Sequence, residues 1–213
     1  MDTVILGAGG HARVILAALL LRGVRPIGCL SPVAPDSGWP SEIGYLGDDS
    51  RLAELDPARV RIINGVGSVG ETLLRRKLFE WAKALGHTFL SIVHPTAIII
   101  DHQPEAEGVQ VMAGAIIQNG VVFGPNVLIN TGAIVDHDCR IGAHGHVATG
   151  ARLSGGVELG IGVHLGTGAS VIQGIHVGDG AIVGAGAVVI RDVAAGSTVV
   201  GNPARPVAIR NTR

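Results

Sequence analysis

A six-residue repeat runs through the second half of the chain and limits the folds open to it. Every sixth residue of this stretch is aliphatic or aromatic: Val111, Ile117, Phe123, Ile129, Val135, Ile141, Val147, Leu153, Leu159, Leu165, Val171, Val177, Val183 and Val189. Small or aliphatic residues stand four positions after most of them, so both positions can point inward. A short period kept over so long a stretch indicates a solenoid, in which each repeat buries its apolar face by stacking on the next.

Glycines add a longer period to this pattern. Gly124, Gly142, Gly160 and Gly178 lie eighteen residues apart, each directly after an inward apolar residue. A corner of one shape therefore returns every third hexad, and three hexads make one coil. Collagen is excluded because glycine is not every third residue, and a β-propeller needs a period of about forty. The repeat resembles the left-handed parallel β-helix of the hexapeptide-repeat acyltransferases, and its handedness is taken from that resemblance.

Composition predicts two domains and a cytoplasmic protein. The sequence changes character near residue 90, so we expect an α/β domain over 1–90 and a solenoid of about five coils over 91–213. With 16 basic and 17 acidic residues the net charge is −1, which suggests neither nucleic acid nor a membrane surface as partner. Two cysteines are too few for a disulfide framework. The apolar run Val14–Leu21 is too short to span a bilayer and lacks the flanks of a signal peptide.

The chain opens with a predicted strand, Val4–Leu6, a glycine turn and a predicted helix, Arg13–Leu21. Gly7, Gly9 and Ala12 match the G-x-G-x-x-G/A pattern, whose turn lets a phosphate approach backbone amides at a helix N-terminus. This predicts a Rossmann-like domain. A second strand, predicted over Val24–Leu30, ends in Ser and Pro rather than in the acidic residue expected of an NAD site.

A second small-residue loop follows the third predicted strand. Val60–Ile63 leads into Asn64–Ser68, ahead of a helix predicted over Val69–Leu85. Two such loops at the carboxyl ends of parallel strands predict one ligand crevice. Alternatively, the glycines only permit tight turns. His11, at a helix start beside backbone amides, favours binding.

The solenoid carries one cluster with the chemistry of a base, Asp136-His137-Asp138. A neighbouring carboxylate can fix the tautomer of an imidazole and raise its basicity, which suits a general base in acyl transfer. The rival chemistry is zinc, bound as in the γ-class carbonic anhydrases. That family has a His-x-x-x-x-His pair, which this sequence lacks. His146 and His164 lie one coil apart, however, and a zinc site made from this pair and His137 of a neighbouring copy is left open.

The whole chain resembles the bacterial sugar acetyltransferases, which include sialic acid O-acetyltransferases and N-acetyltransferases of UDP-4-amino sugars. The segments that carry the resemblance are Gly7–His11, Asn130–Cys139 and Gly201–Arg205. It implies acetyl-CoA as co-substrate, a nucleotide-sugar as substrate and a homotrimer with active sites between subunits. The sequence departs from these relatives in having Leu30-Ser31-Pro32 where they carry an Asp pair, and Asp138 where they often carry Glu.

The resemblance also assigns roles to residues. For catalysis it implies His137 as general base, Asp138 as the carboxylate that raises its basicity and the amide of Gly155 as oxyanion donor. Along acetyl-CoA it places His146, Thr167, Ala185 and Arg205. Against the nucleotide-sugar it places Gly9, Gly10, His11, Gly65 and Asn130. At Gly10 we expect a positive φ as well as close approach of a phosphate.

The predicted reaction is transfer of acetyl from acetyl-CoA to the 4-amino group of a nucleotide-linked deoxyamino sugar, with no metal. The alternative within the family is O-acetylation of a sialic-acid-like or other sugar hydroxyl. A rival from another class is a non-catalytic nucleotide-sugar sensor, and the intact pair His137-Asp138 argues against it.

Overall fold

The structure is a computed structural model that describes residues 1–207. Its N-terminal part is a five-stranded, wholly parallel sheet in the order β3-β2-β1-β4-β5. The elements are β1 (Asp2–Leu6), α1 (Gly10–Leu21), β2 (Gly28–Leu30), β3 (Gly44–Tyr45), a 3₁₀ helix (Asp49–Glu54), β4 (Val60–Asn64), α2 (Leu73–Ala84) and β5 (Thr88–Phe89). Both predicted glycine-containing loops follow strands that pair with each other, β1 and β4, so they lie side by side.

Three predicted boundaries in this part are wrong. The helix α2 begins at Leu73 rather than Val69, because Gly70 has a φ of +78° and Val69 is 96% exposed, so this segment continues the loop. Strand β2 begins only at Gly28, since Pro26 has no amide hydrogen to pair with β1. The helix α1 begins at Gly10, three residues earlier than predicted, and therefore includes His11 in its first turn.

The second part is a parallel β-helix. Its strands are β6 (Ile92–Val93), β7 (Ile98–Ile99), β8 (Gln110–Val111), β9 (Ile116–Ile117), β10 (Val122–Phe123), β11 (Leu128–Ile129), β12 (Ile134–Val135), β13 (Arg140–Ile141), β14 (His146–Val147), β15 (Arg152–Leu153), β16 (Glu158–Leu159), β17 (His164–Leu165), β18 (Ser170–Val171), β19 (His176–Val177), β20 (Ile182–Val183), β21 (Val188–Val189) and β22 (Thr198–Val200). A last strand, β23 (Arg205–Val207), pairs with β22 in antiparallel fashion.

Three faces result, because each strand pairs with the strand eighteen residues further on, as Leu128 does with His146. The first face is built on β6, β8, β11, β14, β17, β20 and β22, the second on β7, β9, β12, β15, β18 and β21, and the third on β10, β13, β16 and β19. The inward column of the hexads forms one continuous core, with Phe123 partly buried at its edge. The predicted solenoid and its period are confirmed.

The corner glycines are required by close stacking of the coils. A Cβ on Gly142 would come within 2.5 Å of the backbone of Gly160, and one on Gly178 within 2.5 Å of the amide of Ala195. Neither position has room for a side chain, which accounts for the eighteen-residue glycine period.

The N-terminal part covers the first face of the β-helix. Side chains at outward positions of this face, Leu128, His146 and His164, are buried, and Met112 beside it is also buried. Leu128 and Met112 belong to the same hydrophobic cluster as Ile15 of α1. The glycine loops are thereby held against the coil, and a cavity is left between the loops and the coil.

Candidate functional site

His137 projects from the corner between β12 and β13. Its backbone amide donates to Asp136 Oδ1 at 2.8 Å, and its ring Nδ1 lies 2.8 Å from Asp138 Oδ2. The side chain is 55% exposed, so its second ring nitrogen, Nε2, is accessible at the surface. Because a carboxylate can only accept, Nδ1 carries the proton and Nε2 offers the lone pair of a base.

Asp138 has a backbone conformation that is rare for a residue with a side chain. Its φ is +58°, whereas glycine takes the equivalent position in the neighbouring coils, at Gly120, Gly156 and Gly174. Placing a non-glycine residue in this region destabilises the backbone by roughly 1 kcal/mol, and aspartate is among the residues that tolerate it best. The conformation keeps the carboxylate on the ring of His137. The hydrogen bond to Asp138 raises the pKa of His137, and the charges of Asp136 and Asp138 add to the effect.

Gly155 lies one coil further on and directly against the imidazole. A Cβ at this position would overlap the ring of His137 at Nε2 and Cε1. The next residue, Gly156, donates its amide to the carbonyl of His137 at 2.8 Å, which fixes the two coils together. Within residues 1–207 the amide of Gly155 itself has no acceptor. The structure therefore brings His137, Asp138 and Gly155 together, as the assigned roles need.

A cavity of about 590 Å³ lies between the N-terminal part and the β-helix. It is lined by Gly7, Ala8, Gly9, Gly10, His11, Ser31, Pro32, Asp49, Gly65, Val66, Gly67, Ser68, Val69, Leu74, Leu78, Asn130 and His146. All five residues assigned to the nucleotide-sugar are among them. Gly9 caps α1 without a side-chain hydrogen bond, so the first-turn amides stay free for an anionic ligand.

The expectation of a positive φ at Gly10 is wrong. Gly10 is the first residue of α1, and a Cβ there would meet nothing within 4 Å. The backbone conformation at Gly10 therefore does not require glycine. The lack of a side chain there leaves the cavity open. Gly65 is different, because a Cβ there would come within 2.9 Å of Ala12 and of the carbonyl of Leu6. Glycine at this position lets β1, α1 and the second loop pack together.

His11 is held as a neutral acceptor. Gln110 Nε2 donates to the carbonyl of Asn64 at 2.7 Å, so Gln110 Oε1, at 2.9 Å from His11 Nε2, accepts the ring proton. This assigns the proton to Nε2 and leaves Nδ1 as an acceptor. Burial, followed by the positive charge of Arg75, lowers the pKa of His11 to about 4. The ring is therefore uncharged at neutral pH.

His146 lies in the same cavity. Asn130 Oδ1 accepts from the amide of Thr131 at 2.8 Å, so Asn130 Nδ2 donates to His146 Nε2 at 3.2 Å. The proton of His146 is then on Nδ1 and is donated to Ser68 Oγ, 2.6 Å away. Burial above all, then the neighbouring His164, lowers the pKa of His146 to about 2. The hydroxyl hydrogen of Ser68 is left for an acceptor in the cavity.

The remaining residues assigned to acetyl-CoA lie outside this cavity. Thr167 and Ala185 are exposed and one coil apart, on the corner that follows the first face. Arg205 is exposed in β23, where Nη1 donates to the carbonyl of Ala204. His146 is thus apart from Thr167, Ala185 and Arg205, and its acetyl-CoA role stays a prediction.

Three residues that form or support the cavity wall were missed from the sequence, and of these only Ser68 lines the cavity itself. Gln110 occupies an outward hexad position that normally faces solvent, so nothing marked it. Ser68 was counted only as part of a turn. Arg75 could have been found, because it shares the spacing of Leu78, Phe79 and Ala82, the buried face of α2.

The zinc rival gains no support from the histidines. Within residues 1–207 no three His, Cys, Asp or Glu side chains are grouped as metal ligands. His146 and His164 do stack, with ring centroids 4.9 Å apart, but both ring nitrogens of His146 are taken by hydrogen bonds. That no metal takes part stays a prediction, which metal analysis of the pure protein would test. Nor does the described chain contain a helix long and apolar enough to cross a membrane.

Comparison with known proteins gives results that agree with this fold and site. Residues 2–82 match the model of the PglD N-terminal domain. No curated protein sequence matches significantly. A mutant of perosamine N-acetyltransferase from Caulobacter crescentus, in complex with CoA and GDP-perosamine, is 35% identical, with a TM-score of 0.88 over 98% of this chain and 97% of that one.

A second solved structure is similar to the same extent. The acetyltransferase domain of PglB from Neisseria gonorrhoeae, in complex with acetyl coenzyme A, is 35% identical, with a TM-score of 0.84 over 97% of this chain and 98% of that one. Both relatives are matched over nearly their full length, in the α/β part as well as in the coils. The resemblance inferred from the motifs is confirmed: the chain belongs to the bacterial sugar acetyltransferase family, among its acetyl-CoA-dependent N-acetyltransferases.

Proposed function

We propose that this enzyme transfers acetyl from acetyl-CoA to the 4-amino group of a nucleotide-linked deoxyamino sugar. The observation that carries the proposal is the pair formed by His137 and Asp138, which presents a basic Nε2 at the surface beside the free amide of Gly155. His137 takes the proton of the attacking amine, and the amide of Gly155 donates to the oxyanion formed on the thioester carbonyl. The thiolate of CoA then leaves.

The cavity suits the nucleotide-sugar. Free amides at the start of α1 favour its phosphates, while neutral His11 and the hydroxyl of Ser68 offer one acceptor and one donor. The Caulobacter relative, which holds GDP-perosamine, supports a nucleotide-linked amino sugar as substrate. The exposed corner that carries Thr167 and Ala185 is the proposed path of acetyl-CoA.

A substrate panel tests this proposal. Acetyl-CoA consumption is measured with UDP-, GDP-, dTDP- and CMP-linked sugars, each 4-amino sugar being paired with its 4-hydroxy analogue. We expect turnover with one 4-amino sugar and little with its hydroxy partner. Preference for a hydroxyl would show an O-acetyltransferase, and binding of a nucleotide-sugar without any acetyl transfer would show a sensor.

We also propose that the enzyme is a homotrimer with shared active sites. His137 follows the second face of the β-helix and is not among the residues that line the cavity on the first face. In the proposed trimer a neighbouring copy brings its His137 to this cavity. Ile98, Ile116 and Ile134 form a partly exposed apolar column on the second face, in register from coil to coil. Such a column is suited to burial between copies.

Mixing two inactive variants tests this arrangement. His137→Ala removes the base, and Gly10→Phe fills the cavity at a position where the backbone tolerates a side chain. If base and cavity come from different copies, co-refolded mixtures regain part of the activity, and light scattering gives the mass of a trimer. A monomer, or mixtures without recovery, would contradict the proposal.

A cytoplasmic location is proposed as well, in keeping with two cysteines that are buried and unpaired.

The pH profile of the reaction follows from the pKa of His137. A general base works only when unprotonated, and Asp138 raises this pKa above the ordinary 6.5. The rate constant kcat/KM should therefore fall on acidification with a midpoint above pH 6.5. Asp138→Asn, which tolerates the positive φ, should move this midpoint to lower pH and reduce turnover less than loss of His137. An unmoved midpoint in steady-state kinetics would show that another group sets the acid limb.

A further inference from the structure

Arg75 is a buried cation without an acidic partner. It is 0% exposed, and its Nη1 donates to the carbonyl oxygens of Asn64 and Val66, each at 3.0 Å. Its Nε and Nη2 have no hydrogen-bond partner among residues 1–207. Across residues 1–207 no carboxylate lies within ion-pair distance of this guanidinium. Burial lowers the pKa of Arg75 to about 9, which leaves the side chain charged at neutral pH.

Folding gives no reason for a charge at this position. Arg75 lies on the face of α2 that also carries Leu78, Phe79 and Ala82, all of them buried. An unneutralised charge in such surroundings destabilises the folded state, and an apolar residue of similar volume is often neutral or better. The charge is therefore expected to serve something other than stability.

The hydrogen bonds of Arg75 act on the wall of the cavity. Asn64 and Val66 flank Gly65 in the second loop, and Gln110 Nε2 adds a further hydrogen bond to the carbonyl of Asn64. Both carbonyls are thus held by groups of the interior. Among the described residues, the amides of Gly67 and Ser68 in the same loop have no acceptor. Two amides of this loop are thus free while the carbonyls of Asn64 and Val66 are occupied, which suits an anion site.

No other positive charge is built into this wall. Within the described part of the chain no Lys or Arg lines the cavity, and its two histidines, His11 and His146, are neutral at pH 7. The charge of Arg75 contributes to the low pKa of both rings, after burial for His11 and after burial and His164 for His146, so its field reaches the lining. The acidic side chain there, Asp49, has a pKa raised by burial and by Asp48.

We propose that Arg75 is a positioning residue for the diphosphate of the nucleotide-sugar. It holds the second loop so that the amides of Gly67 and Ser68 stay free, and its unneutralised charge, acting through the wall, is balanced by the diphosphate when substrate binds. The inference rests on the proposed function, since it names the residue that recognises the charged part of that substrate.

Calorimetric titration of the full-length protein with ligands of graded charge tests it. The probes are guanosine, GMP and GDP, the corresponding uridine series, inorganic pyrophosphate and, as control, acetyl-CoA. The variants are Arg75→Met, which keeps a similar side-chain volume without the charge, and Arg75→Lys, which keeps the charge without the planar guanidinium group. Thermal unfolding of each variant checks that it is folded.

In the wild type we expect affinity to rise from nucleoside to diphosphate. Arg75→Met should weaken diphosphate binding by about tenfold or more, with nucleoside and acetyl-CoA binding nearly unchanged. Arg75→Lys should retain most of the preference for diphosphate. A folded Arg75→Met variant that binds diphosphates like the wild type overturns the inference. A folded Arg75→Lys variant that has lost the preference for diphosphate also overturns it. If Arg75→Met does not fold, the result for Arg75→Lys decides between the two outcomes.

These outcomes are separate from those of the proposed function. If diphosphates bind in an Arg75-dependent way but no nucleotide-linked amino sugar is acetylated, the inference stands and the proposed reaction fails. If Arg75→Met acetylates the sugar with an unchanged KM, the reaction stands and the role of Arg75 fails.

Discussion

Replacing His137 with alanine should lower turnover by roughly 10²–10⁴-fold, the usual effect of losing a general base. The ring is half-exposed and, among the residues that the structure describes, makes its side-chain hydrogen bond only to Asp138, so its removal should leave the coil intact. Binding of acetyl-CoA should be nearly unchanged, because the loss is in the chemical step. Steady-state kinetics and calorimetry of the purified variant measure the two quantities.

The chain supplies a matched control for this experiment. His102 also pairs with a neighbouring aspartate, Asp101, at 2.9 Å, and its side chain is 84% exposed. It differs from His137 in lacking a glycine such as Gly155 against its ring. His102→Ala should therefore leave turnover as in the wild type. Wild-type turnover in His137→Ala would show that the base has been assigned to the wrong residue.

Replacing Gly155 with alanine should reduce turnover by roughly 10²-fold while the protein keeps its fold. The added Cβ overlaps the ring of His137, and a half-exposed ring can turn aside more easily than the stacked backbone can move. A displacement of about 1 Å at a reacting group can cost this much in rate. The backbone amide is kept, so the loss reports on the position of the imidazole and not on a missing oxyanion donor.

Gln173 provides the control for Gly155. It occupies the equivalent position one coil further on and is exposed, so Gln173→Ala should change neither activity nor stability. Thermal midpoints of both variants should lie within a few degrees of the wild type. Full activity in Gly155→Ala would mean that the reactive orientation of His137 does not depend on this glycine.

The sequence predicted most of the β-helix, because its determinants are local and repeated. An inward apolar residue every six positions and a corner glycine every eighteen suffice to set strand, turn and coil, and the structure has each at its predicted place. The pairing of His137 with Asp138 was equally accessible, since the two residues are adjacent and the corner needs no distant contact. Boundaries failed where local chemistry was overlooked, as with Pro26 before β2 and Gly70 before α2.

What the sequence by itself determined is therefore the repeat, the two glycine loops and the pairing of His137 with Asp138, each of which depends on residues close together in the chain. Only the tertiary structure decided which outward positions of the coil become part of the cavity. Gln110 and His146 read as surface residues, yet docking of the N-terminal part buries them and fixes their hydrogen bonds to His11 and Ser68. The same docking leaves Arg75 buried and uncompensated, because burial and charge balance are set by contacts between segments far apart in the chain.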